Sequence, residues 1–425
     1  MAGPWCGLTF CLLILLAQSP FCAAWLDDGH MLVGGIAKYV MTHQMDGGKT
    51  AVEALEAVLR GWEYQYPGLS SLVTAPIWPD HIKCTKDVGH CRGGWRHEGL
   101  RVFDAWHSIN VPLNPLDVAL PENVHESINA QWLLEHANKT LMELGRKQDK
   151  GTIFSWNFML RFLMHVYRDI HQPLHACTLY NSQFANGDKG GNDVKIKVAI
   201  GEGMGYSPPS LHTLWDAAGG PLQRLWPQHT EEDVLCEALE HKDHIRQAMA
   251  SPEARILDFK DIIAESHQFC EQHVYTEFLK TDGALPYQPS DDYIHQTAAI
   301  SYGRIIIAGV RLAQLLMPIA DNAISMQARE TPQKTPEPVE EPQNAADAET
   351  TALLGVDEDG AAMWKAMCGL LVLAVLCLSV MVAWLGWRQA WCVREARLKA
   401  EMLNIIQMAA ARPDRNVGAL QAIDR

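Results

Sequence analysis

The stretch Phe162–His175, FLMHVYRDIHQPLH, restricts the fold more than any other part of the chain. His165 and Asp169 stand four residues apart, one helical turn, so both side chains leave the same face of a helix. Pro173 then ends or bends that helix and carries His175 back to the same region. A second imidazole–carboxylate pair at the same spacing, His212 and Asp216, follows in SLHTLWDAAG. One such pair is weak, because a surface ion pair uses the same spacing. Two pairs with an intervening histidine supply nitrogen and oxygen ligands for more than one divalent ion, and imidazole with carboxylate suits zinc.

The 425 residues are 48% apolar, enough for one substantial core with appendages. Leu8 to Ala17 is a short apolar run, and the small residues Cys22 and Ala24 fit cleavage before Trp25. Residues 1–24 therefore read as a signal peptide, although no Lys or Arg precedes the run. Ala366 to Trp387 is uncharged, apolar and long enough to span a bilayer. Trp384 and Trp387 near its end, followed by Arg388, Arg394, Arg397 and Lys399, add an aromatic belt and cytoplasmic positive charge. The expected order is a folded domain over 25–318, an acidic Pro-rich stalk over 319–361, a transmembrane helix over 362–387 and a basic tail over 388–425. This is a type I layout at the cell surface or in a secretory-pathway membrane. Cys84, Cys91, Cys177, Cys236 and Cys270 then face an oxidising compartment where most should pair, and Cys84 and Cys91 are near enough to close a small loop. Asn138-Lys139-Thr140 is a glycosylation sequon. The formal charge of −15 opposes docking of a long duplex on a basic face.

Within the domain the apolar period is helical. Leu32, Val33, Ile36 and Tyr39 mark one helix after His30, and Val52, Leu55, Val58 and Leu59 mark a second. Ile128, Trp132, Leu133, Ala137 and Leu141 predict a long helix over Glu122–Leu144. A loop rich in Pro, Gly and charge holds Asp80 and Lys83, and FDAWHSINVPLNP holds His107. GDKGGNDVKIKVAIG switches to period two through Val194, Ile196, Val198 and Ile200, which predicts a short strand or hairpin. Its glycines precede no GK[ST] and helix, so a phosphate loop is excluded. Three more helices follow, opened by Thr230-x-x-Asp233, Ser251-Pro252 and Ser290, the last ending near Met317. The fold class expected is mainly α, a single compact multi-helix domain with a short β-hairpin.

Cleavage before Trp25 would leave an α-amine with a pKa of about 7.7–8, which a nearby cation can bind deprotonated. WLDDGH, WPDHIK, WHSIN, FLMHVYRDIHQPLH, GGNDV and LHTLWD, in this order, resemble the class I zinc nucleases. That family takes in fungal single-strand-specific nucleases, plant endonucleases and trypanosomatid 3′-nucleotidase/nucleases. The resemblance spans Trp25 to Met317, and the C-terminal anchor is most like the trypanosomatid surface members. It implies the zinc phospholipase C/class I nuclease type of fold and three zinc ions per chain. One ion would be held by Asp80, His107, His165 and Asp169. A second would share Asp169 and take His30 with the amine and carbonyl of Trp25. A third would take His175, His212 and Asp216.

The resemblance also implies the reaction. A hydroxide bridging the two closer ions would attack phosphorus in line, and the third ion would bind the departing O3′. Single-stranded RNA and DNA would yield 5′-nucleotides, and 3′-nucleotides would lose phosphate; no protein partner is implied. Asp169, Lys83 and Asn110 form the implied catalytic set, with Lys83 near the phosphate. Ser108 and Asn110 depart from the fungal members, which have an aromatic residue and an aspartate against the base. Losing that ring weakens stacking by about 1–3 kcal/mol per base, so base preference does not transfer. Two other readings stay open: a zinc phospholipase C on the same scaffold, and a non-catalytic surface ectodomain with structural zinc. His43, His81, His90, His97 and His171 match no ligand position, and Trp156, Trp215 and Trp226 read as core.

Overall fold

The structure, a computed structural model, describes residues 26–83, 98–122, 124, 127–144, 153–198, 207–281 and 283–330. The expected signal peptide, Trp25, Cys84, Cys91, the membrane span and the tail lie outside the described residues. Helix α1, Asp27–Gln44, runs through the centre. Met31, Leu32, Val33, Ile36, Ala37, Val40 and Met41 are all buried, because α2 (Gly48–Leu59), α7 (Glu231–Glu240) and α10 (Asp291–Glu330) surround it. A helix apolar on every side has to be covered on every side. Gly309 of α10 makes the closest approach possible: a Cβ there would lie 2.5 Å from the Ile36 side chain.

Helix α5, Ile153–Asp169, packs on α4, Ala130–Leu144, through Leu133, Leu134, Ala137 and Leu141. The helix expected from Glu122 starts instead at Ala130. The Asn129 carboxamide accepts the Trp132 amide at 3.0 Å as an N-cap, and Ile128 is left 49% exposed. The capping box at Thr230 and Asp233 opens α7 as its residues suggest, and the Ser290 hydroxyl accepts the Tyr293 amide at the start of α10. Ser251-Pro252 opens only a 3₁₀ turn, Pro252–Arg255, after α8 (Lys242–Ala250). Helix α9, Phe259–Phe269, is capped by Asp258.

Helix α10 does not stop near Met317. Pro318 removes one backbone donor, yet Ile319, Ala320, Ala323 and Met326 stay in the core, so the folded body passes the expected boundary at 318. Among the described residues α10 is the one helix long and apolar enough to cross a membrane. Since 72% of its most apolar window is buried against protein, it reads as a core helix.

The expected hairpin is also different. The sheet is a parallel pair, β1 (Pro112–Leu113) with β2 (Thr178–Leu179), while Lys195 and Ile196 make only isolated bridges to Ser210 and Tyr287. Val194, Ile196 and Val198 do enter a second core with Leu174, Trp215 and Tyr275. Period two predicts which side chains are buried, not which strand they pair with. A disulfide, Cys177–Cys270, crosses this second core.

Candidate metal centre

Six elements converge on one region. Helix α1 brings His30, the short α3 (Trp78–His81) brings Asp80, and the 3₁₀ segment Glu98–His107 ends at His107. The last turn of α5 carries His165 and Asp169, both fully buried. His30 Nε2 lies 3.5 Å from Asp169 Oδ1, while His107 Nδ1 and His165 Nε2 lie 3.2 and 3.3 Å from Oδ2. Asp80 Oδ1 is 3.7 Å from the same atoms of His107 and His165. Beyond Asp169, the 3₁₀ turn Pro173–Ala176 places His175, and α6 (Leu211–Asp216) presents His212 and Asp216 from one face. Asp216 Oδ2 is 3.3 Å from His212 Nε2, and its Oδ1 is 3.7 Å from His175 Nε2. Three groups of ligand-type atoms result: His30, His165 and Asp169; Asp80, His107 and His165; His175, His212 and Asp216. Eight of the nine expected ligand positions are thus brought together, and Trp25 lies outside the described residues.

The protonation states follow from the surroundings. His165 Nδ1 donates to the Pro76 carbonyl at 2.5 Å, His175 Nδ1 to the His107 carbonyl at 2.7 Å, and His212 Nδ1 to the Gly190 carbonyl at 2.7 Å. Each bond keeps the proton on Nδ1 and turns an Nε2 lone pair toward carboxylate oxygen. Acceptor then faces acceptor, and a cation between them resolves the conflict. Burial holds the imidazoles neutral, pushing His165 and His175 down to about 4 and His30 and His107 well below the usual histidine range. Burial likewise raises Asp216 to about 7, and burial with the neighbouring Asp80 raises Asp169 well above the carboxylate range. Asp80 goes the other way: burial would raise it, but the Lys83 ammonium at 2.8 Å and the three histidines hold it low.

His30 Nε2, His175 Nε2, Asp169 Oδ1 and Asp216 Oδ2 are buried without a hydrogen-bond partner. Each such atom costs about 1–3 kcal/mol unless something satisfies it. Neutral imidazoles beside carboxylates, with these vacant acceptors aimed inward, form a donor set that fits divalent zinc.

A family model described as S1/P1 nuclease matches residues 25–321, a span that contains all three groups. The chain belongs to the S1/P1 nuclease family. S1/P1 nucleases are zinc enzymes, and membership makes this chain a hydrolase of the nuclease class. Its His/Asp groups could hold the metal ions such enzymes use. No curated protein matches the chain.

The other residues singled out in this S1/P1 chain fall as follows. Lys83 is paired with Asp80. Asn110, on the segment leading into β1, accepts the Thr178 hydroxyl through Oδ1 at 3.0 Å. His171 is buried with Nδ1 on the Tyr167 carbonyl, and His43 is exposed at the end of α1. His81 meets Asp27 at 3.1 Å, and His90 and His97 lie outside the described residues. Trp156 and Trp215 are core; Trp226 is half-buried, its backbone amide on Asp27. Asp27 and Asp28 were not singled out by type. They fasten the first turn of α1, which carries His30, to 224–229, with the Arg224 amide and Nε both 3.0 Å from Asp28.

Gln172 was missed as well. Its Nε2 donates to Asp216 Oδ1 at 2.8 Å, and its Oε1 accepts the Leu174 amide, capping the turn that carries His175. Its place inside HQPLH was the available signal. Gln172→Ala is expected to weaken binding of the ion at His175, His212 and Asp216 by roughly 10–100-fold, measured by chelator competition. Unchanged affinity would mean that Gln172 only caps the turn.

Proposed function

We propose that this chain is a zinc-dependent phosphoesterase of the cell surface or secretory pathway. It hydrolyses single-stranded RNA and DNA to 5′-nucleotides and removes phosphate from 3′-nucleotides. Three zinc ions would be ligated by Trp25, His30, Asp80, His107, His165, Asp169, His175, His212 and Asp216. The observation that carries the reading is the position of Asp169: one oxygen faces His30 and the other faces His107 and His165. A carboxylate so placed can join two ions.

When bound, the ions would supply Lewis acidity toward the phosphate and bring the pKa of water to about 7. The chain's own groups prepare that chemistry. Carbonyl acceptors at Pro76, His107 and Gly190 fix the tautomers of His165, His175 and His212, so no ring has to reorient. Lys83 keeps Asp80 ionised and adds positive charge beside the developing charge on the equatorial oxygens. With three divalent ions bound, Asp80, Asp169 and Asp216 would leave the floor positive on an acidic chain, a field that would draw a phosphodiester. Asn110 carries an NH₂ group that would meet an acceptor edge of the substrate. An unpaired strand can lay a phosphate into a buried centre that a stacked duplex cannot enter.

The test is a substrate panel on the full chain in detergent. Hydrolysis of 3′-AMP and poly(U), lost with a chelator and restored by zinc, is expected. Cleavage of phosphatidylcholine alone would assign a phospholipase C instead. A fold that melts with chelator while no phosphate ester is ever hydrolysed would leave zinc a structural role only.

A further inference from the structure

The glycine-rich segment GDKGG, excluded above as a phosphate loop, lies against the third His/Asp group. We infer that Asp188 is a positioning residue: it anchors the 187–191 loop, and the loop sets the tautomer and place of His212 for the ion at His175, His212 and Asp216. This rests on reading that group as a zinc site.

Asp188 is fully buried, and its carboxylate is committed to the loop's anchorage. Oδ1 accepts the Leu179 amide of β2 at 3.0 Å, and Oδ2 accepts the Tyr275 hydroxyl at 2.6 Å. The Asp188 amide returns a bond to the Leu179 carbonyl at 3.1 Å. On its far side the same loop holds His212 twice. The Gly190 carbonyl takes the Nδ1 proton at 2.7 Å, and the Gly191 carbonyl takes the His212 amide at 3.3 Å.

The loop also packs closely on the two segments that carry the histidines. Gly190 has φ +61°, and a Cβ there would sit 2.5 Å from the Leu174 carbonyl, next to His175. Gly191 has φ +83°, and its Cβ would sit 3.2 Å from the His212 amide. Two left-handed residues without side chains therefore wedge the loop between the backbones that carry the two histidines. Tyr275 reaches Asp188 from the segment that follows Cys270, and Cys177, its disulfide partner, stands two residues after His175. Anchor, wedge and ligands form one connected unit. A ring whose Nδ1 loses its carbonyl acceptor can rotate or exchange tautomers, and the ion then loses a pre-aimed lone pair.

The experiment is zinc content and chelator competition on the full chain, for wild type, Asp188→Ala, Asp188→Asn, Tyr275→Phe and Gly190→Ala. Wild type should hold three ions. Asp188→Ala and Gly190→Ala should keep two and bind the third roughly 10–100-fold more weakly. Asp188→Asn, which keeps an acceptor, and Tyr275→Phe should shift that same ion less. Leu141→Ala, a core truncation on α4 away from the loop, should lower the melting temperature and keep all three ions. Variants with three ions at wild-type affinity would overturn the inference. So would loss of all three ions together, in step with the melting temperature. If Asp188→Ala does not fold, Tyr275→Phe and Gly190→Ala decide the matter. A wild-type protein without zinc would overturn the zinc reading itself, whereas normal wild-type binding with unaffected variants overturns only the role of Asp188.

Discussion

Asp169→Asn is expected to remove the proposed hydrolysis of nucleic acid and 3′-nucleotide, by more than about 10³-fold. That exceeds the roughly 10²–10³ lost with a single electrostatic contact. The carboxylate faces His30 through one oxygen and His107 and His165 through the other, so one substitution disturbs two ligand groups at once. The amide matches the shape of the acid but brings an NH₂ group where a lone pair is required. At least one ion should be lost with the activity. Stability of the metal-free protein should not fall, because burial and the nearby Asp80 already disfavour a charged Asp169. Initial rates, zinc content and a metal-free melting curve together separate a ligand from a structural residue. A variant with full zinc and wild-type rate would end the reading of Asp169 as a shared ligand.

Glu265→Ala is expected to destabilise the fold by about 3–5 kcal/mol, the cost of leaving buried charge unpaired. Glu265 on α9 holds two buried guanidinium groups of α10: Arg304 Nη1 at 2.9 Å, and Arg311 through Nη1 at 2.7 Å and Nη2 at 3.2 Å. Arg304 also donates to the His171 carbonyl at 3.0 Å, and Ser266 donates to the Ile170 carbonyl at 2.6 Å. The cluster therefore clamps the chain just after Asp169, where it turns toward His175. Burial would raise the Glu265 carboxyl, but the guanidinium hydrogen bonds outweigh it and hold it below the ordinary glutamate value of 4.5. A depressed folded pKa means that this stabilisation is complete above about pH 4.5 and fades as the pH falls through the folded value. The melting temperature should drop by roughly 10 °C at neutral pH and by less in acid. An equal drop at pH 3 and pH 7 would rule out the ionic account.

Much of the centre was legible in advance because helical spacing is a local property. HxxxD on α5 and again on α6 projects imidazole and carboxylate from one face whatever the rest of the chain does, and Pro173 forces the turn that returns His175. The resemblance to the class I zinc nucleases then implied Asp80, His107 and His30 beside them. The partners of those ligands were not legible. Pro76, His107 and Gly190 act through backbone carbonyls, which carry no residue signature. Glu265 and Arg311 stand 46 residues apart on different helices, and no periodicity pairs them. Alternation at Val194–Val198 found the buried face but not its neighbours, since pairing depends on which chain arrives there. The end of α10 was misplaced because Pro318 reads as a stop, while the core contacts of Ile319 and Ala323 keep the helix going.

The sequence by itself determined a mainly helical chain and the chemical kinds of ligand, since both are written in local spacing and residue type. Only the tertiary structure decided which nitrogen of each histidine faces inward, and which carboxylate is held ionised and which is driven toward neutrality. Those states depend on the carbonyls, charges and water exclusion that segments distant in sequence bring to one place.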